Sequence, residues 1–272
     1  KVTDTLIELF KIDMETQKNA PQGDASLEGA EFTWKFYAGH YTADNLPAEP
    51  TKTWVTKTIA EKDSDGTIHY VSRLADEYKV SGDSFYTQDG KNVLPLGTLT
   101  VEETKAPSGY LLDGAYMQAN GSEEQMKDIY VTQITEDGDL AVLSGSNQYH
   151  VSDMVIRGGV KIQKRDLETG DTKAQGSATL KDAEFAIISL NDSAVVVEGK
   201  LYQKNEVVKT ILTDIEGVAS TSADLLPYGK YRIEESKAPE GYLTNGAEPI
   251  EFEITEDGKI VDLTGTDTSI YN

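Results

Sequence analysis

The chain has 272 residues, no cysteine and a formal net charge of −22, with 25 Lys and Arg against 47 Asp and Glu. So acidic a surface repels phosphate backbones and anionic lipid, which argues against nucleic acid and membranes as partners. Without cysteine there is no disulfide, thiolate metal site or cysteine nucleophile, while a hydrophobic content of 38 % gives a core to each of the roughly two domains this length suggests.

In chain order, the first alternating run places Ile7, Leu9 and Lys11 on one face of a strand. From there the sequence repeats itself. Lys11-Ile-Asp-Met-Glu-Thr16 returns as Lys164-Arg-Asp-Leu-Glu-Thr169, and the stretch Gly23 to Phe32 returns as Gly176 to Phe185, both at an offset of 153. Glu103-Thr-Lys-Ala-Pro-Ser-Gly-Tyr110 returns as Glu235-Ser-Lys-Ala-Pro-Glu-Gly-Tyr242 at 132, and Ile134-Thr-Glu-Asp-Gly138 returns as Ile254-Thr-Glu-Asp-Gly258 at 120. The first copy therefore carries 21 extra residues between Phe32 and Pro95 and 12 more between Tyr110 and Ile134. Two homologous domains are expected, 1–153 and 158–272, joined at Met154–Gly159 by a stretch too short to be a floppy linker. The chain begins at Lys1 with no leader, so it is expected to be an internal piece of a longer protein.

The local signal is β throughout. Leu99–Glu103, Val160–Lys164, Tyr231–Glu235 and Ile250–Ile254 alternate as half-buried strands do. Asp137-Gly138 and Asp257-Gly258 read as hairpin turns, and Pro95-Leu-Gly97 and Pro227-Tyr-Gly229 as turns ahead of a strand. Helix is expected at most for a turn or two over Ser122–Lys127. The fold class is all-β, with each copy an antiparallel β-sandwich.

Alternation also sends charge inward. Lys11 follows Ile7 and Leu9, and Lys164 follows Val160 and Ile162; Glu103 follows Leu99 and Val101, and Glu235 follows Tyr231 and Ile233. Asp153 shares a face with Val151, and Asn272 with Ile270, at an offset of 119. The neighbouring Glu102 and Glu234 point the other way, toward solvent. A lone inward lysine or acid is ordinarily one that snorkels from a strand end. One Lys, one Glu and one Asp or Asn in each copy is a different matter, since unpaired buried charges cost several kcal/mol and such groups must meet or react.

These motifs resemble the Cna B-type domains of Gram-positive surface proteins and pilins. The matching strings are Lys164-Arg-Asp166, Ala183-Glu-Phe185, Tyr231 to Tyr242 and Asn272, and, in the first copy, Lys11-Ile-Asp13, Ala30-Glu-Phe32, Glu103 to Tyr110 and Asp153. The resemblance implies two tandem Ig-like (Cna B-type) sandwiches. It also implies an intramolecular isopeptide bond in each, Lys164 to Asn272 with Glu235 as catalyst and Lys11 to Asp153 with Glu103 as catalyst. Asp153 stands where asparagine is commoner; Asn147 shares its face parity, but the repeat aligns Asn147 with Thr266 and so favours Asp153. The implied protein is a stalk or shaft segment, extracellular and anchored to the cell wall, that cross-links itself once and is no turnover enzyme. Its partners would be neighbouring domains of the same surface protein.

The alternative is an adhesin that binds a host matrix protein or glycan. Trp34, Phe36, Tyr37, Tyr41 and Trp54, assigned to the enlarged part of the first copy, are either its binding surface, with Trp34 and Tyr37 as candidate ligand-binding residues, or packing within the sandwich. Other signals carry little. Leu94-Pro-Leu-Gly-Thr98 has the wrong order for a sorting signal, and Asp63-Ser-Asp-Gly66 lacks the later acids of a calcium loop. His40, His69 and His150 have no metal-ligand spacing, so no metal and no cofactor is expected. Asn120-Gly-Ser122 and Asn191-Asp-Ser193 match a glycosylation pattern of little meaning in a bacterial chain.

Overall fold

The computed structural model describes residues 2–4, 7–119, 125–127, 130–134, 148–244 and 247–272. The Asp137-Gly138 turn, Asn120, Ser122 and Asn147 lie outside the described residues. The chain divides into two compact units, Lys1–Pro21 with Ser26–Met154 and Gln22–Ala25 with Val155–Asn272.

The first unit is a sandwich of two large sheets, with a small third sheet of Val2–Asp4, Lys91–Pro95 and Tyr86–Gln88. One runs in the order Tyr130–Ile134, Gly97–Lys105, Glu31–Tyr37, Lys52–Lys57, Lys79–Gly82; the other runs Gln125–Lys127, Tyr110–Ala119, Gln148–Val155, Glu8–Asp13, Ile68–Arg73, Ile59–Lys62. Leu9 and Val151 from the second sheet meet Phe32, Trp34, Phe36, Leu99 and Val101 from the first. In the second unit, Val207–Leu212, Glu184–Ser189, Gly229–Lys237 and Ile250–Ile254 form one sheet, and Arg157–Arg165 gathers the other around itself. Its core is Val160, Ile162, Phe185, Ile187, Tyr231, Ile233, Phe252 and Ile270. The inward faces are thus those the alternation predicts.

Three details depart from expectation. The sandwiches are not purely antiparallel, because each unit's last strand lies parallel to the strand that carries the inward lysine: Gln148–Val155 beside Glu8–Asp13, and Ile270–Tyr271 beside Arg157–Arg165. Asp257-Gly258 does not close a hairpin; Ile250–Ile254 pairs with the Gly229–Lys237 strand, whereas Ile260–Leu263 crosses to pair with Arg157–Arg165. Gln125–Lys127 is strand rather than helix, paired with Tyr116–Gln118. In each case pairing with a distant strand overrides the local signal.

Side-chain clamps recur where the copies align. Thr58 Oγ1 accepts from Ala30 N at 3.0 Å and donates to the Leu27 carbonyl at 2.6 Å; Thr213 does the same with Ala183 N (2.9 Å) and the Leu180 carbonyl (2.6 Å). The surplus of the first unit follows from this alignment. It falls between Thr58 and Pro95, in a longer hairpin that adds Ile59–Lys62 and in the strands Lys79–Gly82 and Tyr86–Gln88, whereas Val71–Arg73 and Leu94–Pro95 pair as Val218–Ser220 and Leu226–Pro227 do. Gly97 and Gly229 open the glutamate-bearing strand because backbone and side chain crowd it: a Cβ would lie 2.4 Å from the Tyr37 carbonyl or 2.3 Å from Asn191 Oδ1.

Thr213→Val keeps the volume but leaves the Ala183 N–H and the Leu180 carbonyl without that hydroxyl. It is expected to destabilise the chain by about 2 kcal/mol, read from the chemical denaturation midpoint.

Candidate functional site

Each unit brings its three inward polar groups together. In the first, Lys11 Nζ lies 3.0 Å from Asp153 Oδ2 and 3.3 Å from Glu103 Oε2, and donates to the Val151 carbonyl at 3.1 Å. In the second, Lys164 Nζ donates to Asn272 Oδ1 and lies 3.6 Å from Glu235 Oε1. Asn272 Nδ2 donates in turn to Glu235 Oε2 and, at 2.7 Å, to the Leu243 carbonyl. The lysine side chains are fully buried in both units, and so is that of Glu235. Glu102 and Glu234, expected in solvent, are half-buried at the rim.

Backbone register sets this geometry. In the parallel pairing Lys11 stands opposite Val151, and Lys164 opposite Ile270. The acceptor is two residues further on in each case, on the same face and within reach of a lysine side chain. The acceptor backbone is pinned identically: Asp153 O accepts from Met14 N at 3.0 Å, and Asn272 O from Leu167 N at 2.7 Å. The glutamate is aimed by a bulge. Glu103 pairs with Phe32 and Lys105 with Glu31, while Glu235 pairs with Phe185 and Lys237 with Glu184, so Thr104 and Ser236 are the extra residues. A bulge bends the strand and redirects the side chain beside it. Phe32 and Phe185, both fully buried, lie directly across from the glutamates and keep water from them.

The electrostatics follow from burial. Desolvation pushes the Glu103 carboxyl well above the ordinary range, with Asp153 adding to the rise and Lys11 opposing it. Glu235 is raised for the same reason, opposed by Asn272 and Lys164. Desolvation brings Lys164 down to about 8 against the pull of Glu235. A neutral amine beside a protonated carboxyl and an amide or acid carbonyl can react by acyl transfer.

The sequence reading gave no role to the Asp of Lys-x-Asp or to the Tyr of Gly-Tyr. Tyr110 OH donates to Asp13 Oδ2 at 2.7 Å, and Tyr242 OH to Asp166 Oδ2 at 2.8 Å. The other oxygen caps the turn that follows the lysine strand, accepting from Thr16 N and Thr169 N at 2.8 Å. The Thr169 bond, with help from Tyr242 and Gln175, holds Asp166 down at about 2. The signal was present in the repetition of both motifs, but nothing local pairs residues so far apart.

Trp34 and Tyr37 are a correction. Both lie on Glu31–Tyr37, a strand the two copies share, rather than in the enlarged part. Trp34 is fully buried with its indole N–H donated to Thr56 Oγ1 at 2.8 Å, and Tyr37 is 5 % exposed, so neither side chain is presented to a ligand. Trp54 is buried and stacks on Phe85. Asp63 is a turn residue, accepting from Asp65 N and Thr67 N and holding His69 at 2.8 Å. Among the described residues no group of three or more His, Asp or Glu is placed to hold a metal, and no helix is long and apolar enough to cross a membrane.

Residues 158–269 match the family described as SpaA, prealbumin-like fold domain. No curated protein sequence matches the chain closely enough to count as a relative. Among solved structures, the chain is similar to the Bacillus anthracis TIE protein, at 23 % identity and a TM-score of 0.48, covering 98 % of this chain and 34 % of that one. It is similar to a streptococcal ancillary pilin, at 17 % identity and a TM-score of 0.29, covering 98 % of this chain and 62 % of that one. It is also similar to GBS52, the minor pilin of Streptococcus agalactiae, at 12 % identity and a TM-score of 0.31, covering 98 % and 95 %. The chain therefore spans about a third of the first of these proteins and under two thirds of the second.

In an Asn272→Ala chain, Lys164 stays a free amine and is expected to titrate near 8, against about 10.4 for an ordinary lysine. Folded, that lysine binds fewer protons than unfolded between those values, so the variant's stability should rise with pH across that window. Lysine Nζ NMR and denaturation from pH 7.5 to 10.5 check both.

Proposed function

We propose that each unit closes one isopeptide bond on itself, and that the chain is a structural stalk segment of a pilin-type or adhesin-type surface protein of a Gram-positive cell wall. The observation that carries this is the buried Lys–Glu–acceptor triad, built twice with the same strand register and the same bulge. The match of residues 158–269 to the SpaA family supports it independently. The two units would be repeats of one domain type, 1–153 and 158–272.

The chemistry balances without a cofactor. In the second unit the neutral Lys164 amine attacks Asn272 Cγ. A bond forms from Nζ to Cγ, the bond from Cγ to Nδ2 breaks, and ammonia leaves with a proton shuttled by Glu235. In the first unit Lys11 attacks Asp153 Cγ, and water leaves with a proton supplied through Glu103. Packing supplies the effective molarity that amide exchange in water lacks.

The function is mechanical. Each terminal pair of strands is parallel, so tension on the two ends of a unit shears one strand along the other. A bond from Lys11 to Asp153, or from Lys164 to Asn272, carries that load directly and leaves the rest of the sandwich out of its path. Closing loops this long adds about 4–5 kcal/mol each on the loop-entropy account. Neighbouring domains of the same surface protein are then the natural partners. The adhesin alternative loses its candidate surface, since Trp34 and Tyr37 are buried.

The intact mass of the chain is expected to fall short of the sequence mass by one ammonia and one water. Glu235→Ala should restore the ammonia and lower the melting temperature; persistence of the bond in that variant would refute the catalytic assignment. Bond formation also has a pH signature. The reactive second-unit pair, neutral Lys164 with protonated Glu235, holds one proton, as does its ion-paired form. Its rate should be level at intermediate pH and fall above about 8, where that proton is lost. In the first unit desolvation raises the Glu103 carboxyl well above its ordinary range, so Glu103 holds the proton that leaves with the water, and water loss should slow as that carboxyl ionises. Time-resolved intact mass at pH 5.5, 7 and 9 separates the two.

A further inference from the structure

The second-unit site contains one acceptor that the reaction does not consume, the Leu243 carbonyl, 2.7 Å from Asn272 Nδ2. A carboxamide is nearly symmetric in shape, and its two ends differ only in what they donate and accept. Glu235 cannot tell them apart, because its carboxyl accepts when ionised and donates when protonated. Lys164 fails for a similar reason, because its amine donates when charged and both donates and accepts when neutral. A backbone carbonyl accepts only. It therefore faces the nitrogen end whatever the protonation of its neighbours, and leaves Oδ1 toward Lys164 and Nδ2 beside Glu235, where the leaving ammonia needs its proton.

The carbonyl is held by its neighbour in the chain. Tyr242 OH donates to Asp166 Oδ2 at 2.8 Å and accepts from Gln175 N at 3.3 Å, tying the Pro239–Leu243 loop to the turn that leaves the lysine strand. Asp166 is itself fixed by Thr169 N and by Gln175 Nε2 at 2.9 Å. A cavity of about 380 Å³, lined by Asp166, Gln175, Tyr242, Leu243 and Asn272 among others, opens beside the same amide and gives the leaving group a way out. In the first unit the acceptor is an acid. Among the described residues Asp153 faces the Lys11 amine and the Glu103 carboxyl, and no backbone carbonyl stands against it as Leu243 does against Asn272, although the equivalent latch of Tyr110 on Asp13 is present.

We propose that the Leu243 carbonyl, held by the Tyr242–Asp166 hydrogen bond, orients the Asn272 carboxamide for loss of ammonia and makes the second unit select asparagine over aspartate as its acceptor. Tyr242 is then a positioning residue, and the selection is electrostatic: an ionised aspartate at 272 sets a carboxylate oxygen against a carbonyl oxygen, which leaves only its protonated fraction to react. The inference rests on the cross-linking reading above and deepens it.

The test is a double-mutant cycle on the full chain. The protein is made by cell-free synthesis at pH 7.5 and quenched in acidic denaturant at intervals, and the cross-linked fraction is read by intact mass. Tyr242→Phe should slow ammonia loss about tenfold or more, as small misplacements of reacting groups do. N272D should lose water at least tenfold more slowly than the parent loses ammonia. Adding Tyr242→Phe to N272D should then cost little or even speed the reaction, because the opposing carbonyl is released. Asp166→Asn keeps a partner for the tyrosine hydroxyl and should react near the parent rate, while Asp166→Ala should match Tyr242→Phe. Amide dispersion reports folding of every variant, and the Asp166 pair carries the test should Tyr242→Phe not fold. Equal slowing of the Asn and Asp reactions by Tyr242→Phe would mean a merely structural role and overturn the proposal, as would an unchanged rate. A parent chain that retains its full mass would overturn the cross-linking reading itself, and this one with it.

Discussion

Everything distinctive in this chain depends on placing a lysine amine in an apolar core beside a carboxyl and a second carbonyl group. Isolated, such an amine would cost several kcal/mol, and removing one partner of a buried pair costs about 3–5 kcal/mol. The fold tolerates the arrangement because the same burial that penalises the charges pushes Glu235 up and Lys164 down toward their neutral forms. An amine and an acid that are both neutral are no longer a buried ion pair; they are reactants held at contact distance. On the cross-linking proposal, desolvation is at once the cost of the site and the source of its reactivity.

The scaffold's contribution is register. Parallel pairing of the lysine strand with the last strand sets the acceptor two residues beyond the position opposite the lysine, and the bulge beside the glutamate turns the third group toward both. The Asp–Tyr hydrogen bond ties the loop after the glutamate strand to the turn after the lysine strand, so the three strands that carry the reactants are fastened at the end where the reactants lie. The units differ where the chemistry tolerates difference. The first has an acid acceptor and extra strands between Thr58 and Pro95, and the second has an amide acceptor and little beyond the essential frame.

Much of this was legible in the sequence, for a simple reason. Period-two alternation assigns a face to each residue, and the repeat tests each assignment twice, so Lys11, Glu103 and Asp153 could be read inward together with Lys164, Glu235 and Asn272. What alternation cannot give is pairing across the chain. The crossing of Ile260–Leu263 to the other sheet, the parallel sense of the terminal strands and the partnership of Asp166 with Tyr242 depend on long-range contacts that no local pattern encodes. The aromatic residues misled for a related reason. Counting surplus residues between Phe32 and Pro95 could not say where in that interval they fall, and Trp34 and Tyr37 proved to be core positions of a shared strand.

The proposed covalent route between the two ends of a unit would also give meaning to the absence of cysteine. The staple inferred here needs no oxidant and forms from groups that folding itself brings together, while the acidity is consistent with an exposed surface and singles out no ligand. Peptide mapping reads that staple most directly. After proteolysis under denaturing conditions, fragment-ion spectra should show the Lys164 peptide joined to the peptide that ends at Asn272, and the Lys11 peptide joined to the one bearing Asp153. Recovery of all four as separate linear peptides would contradict the account.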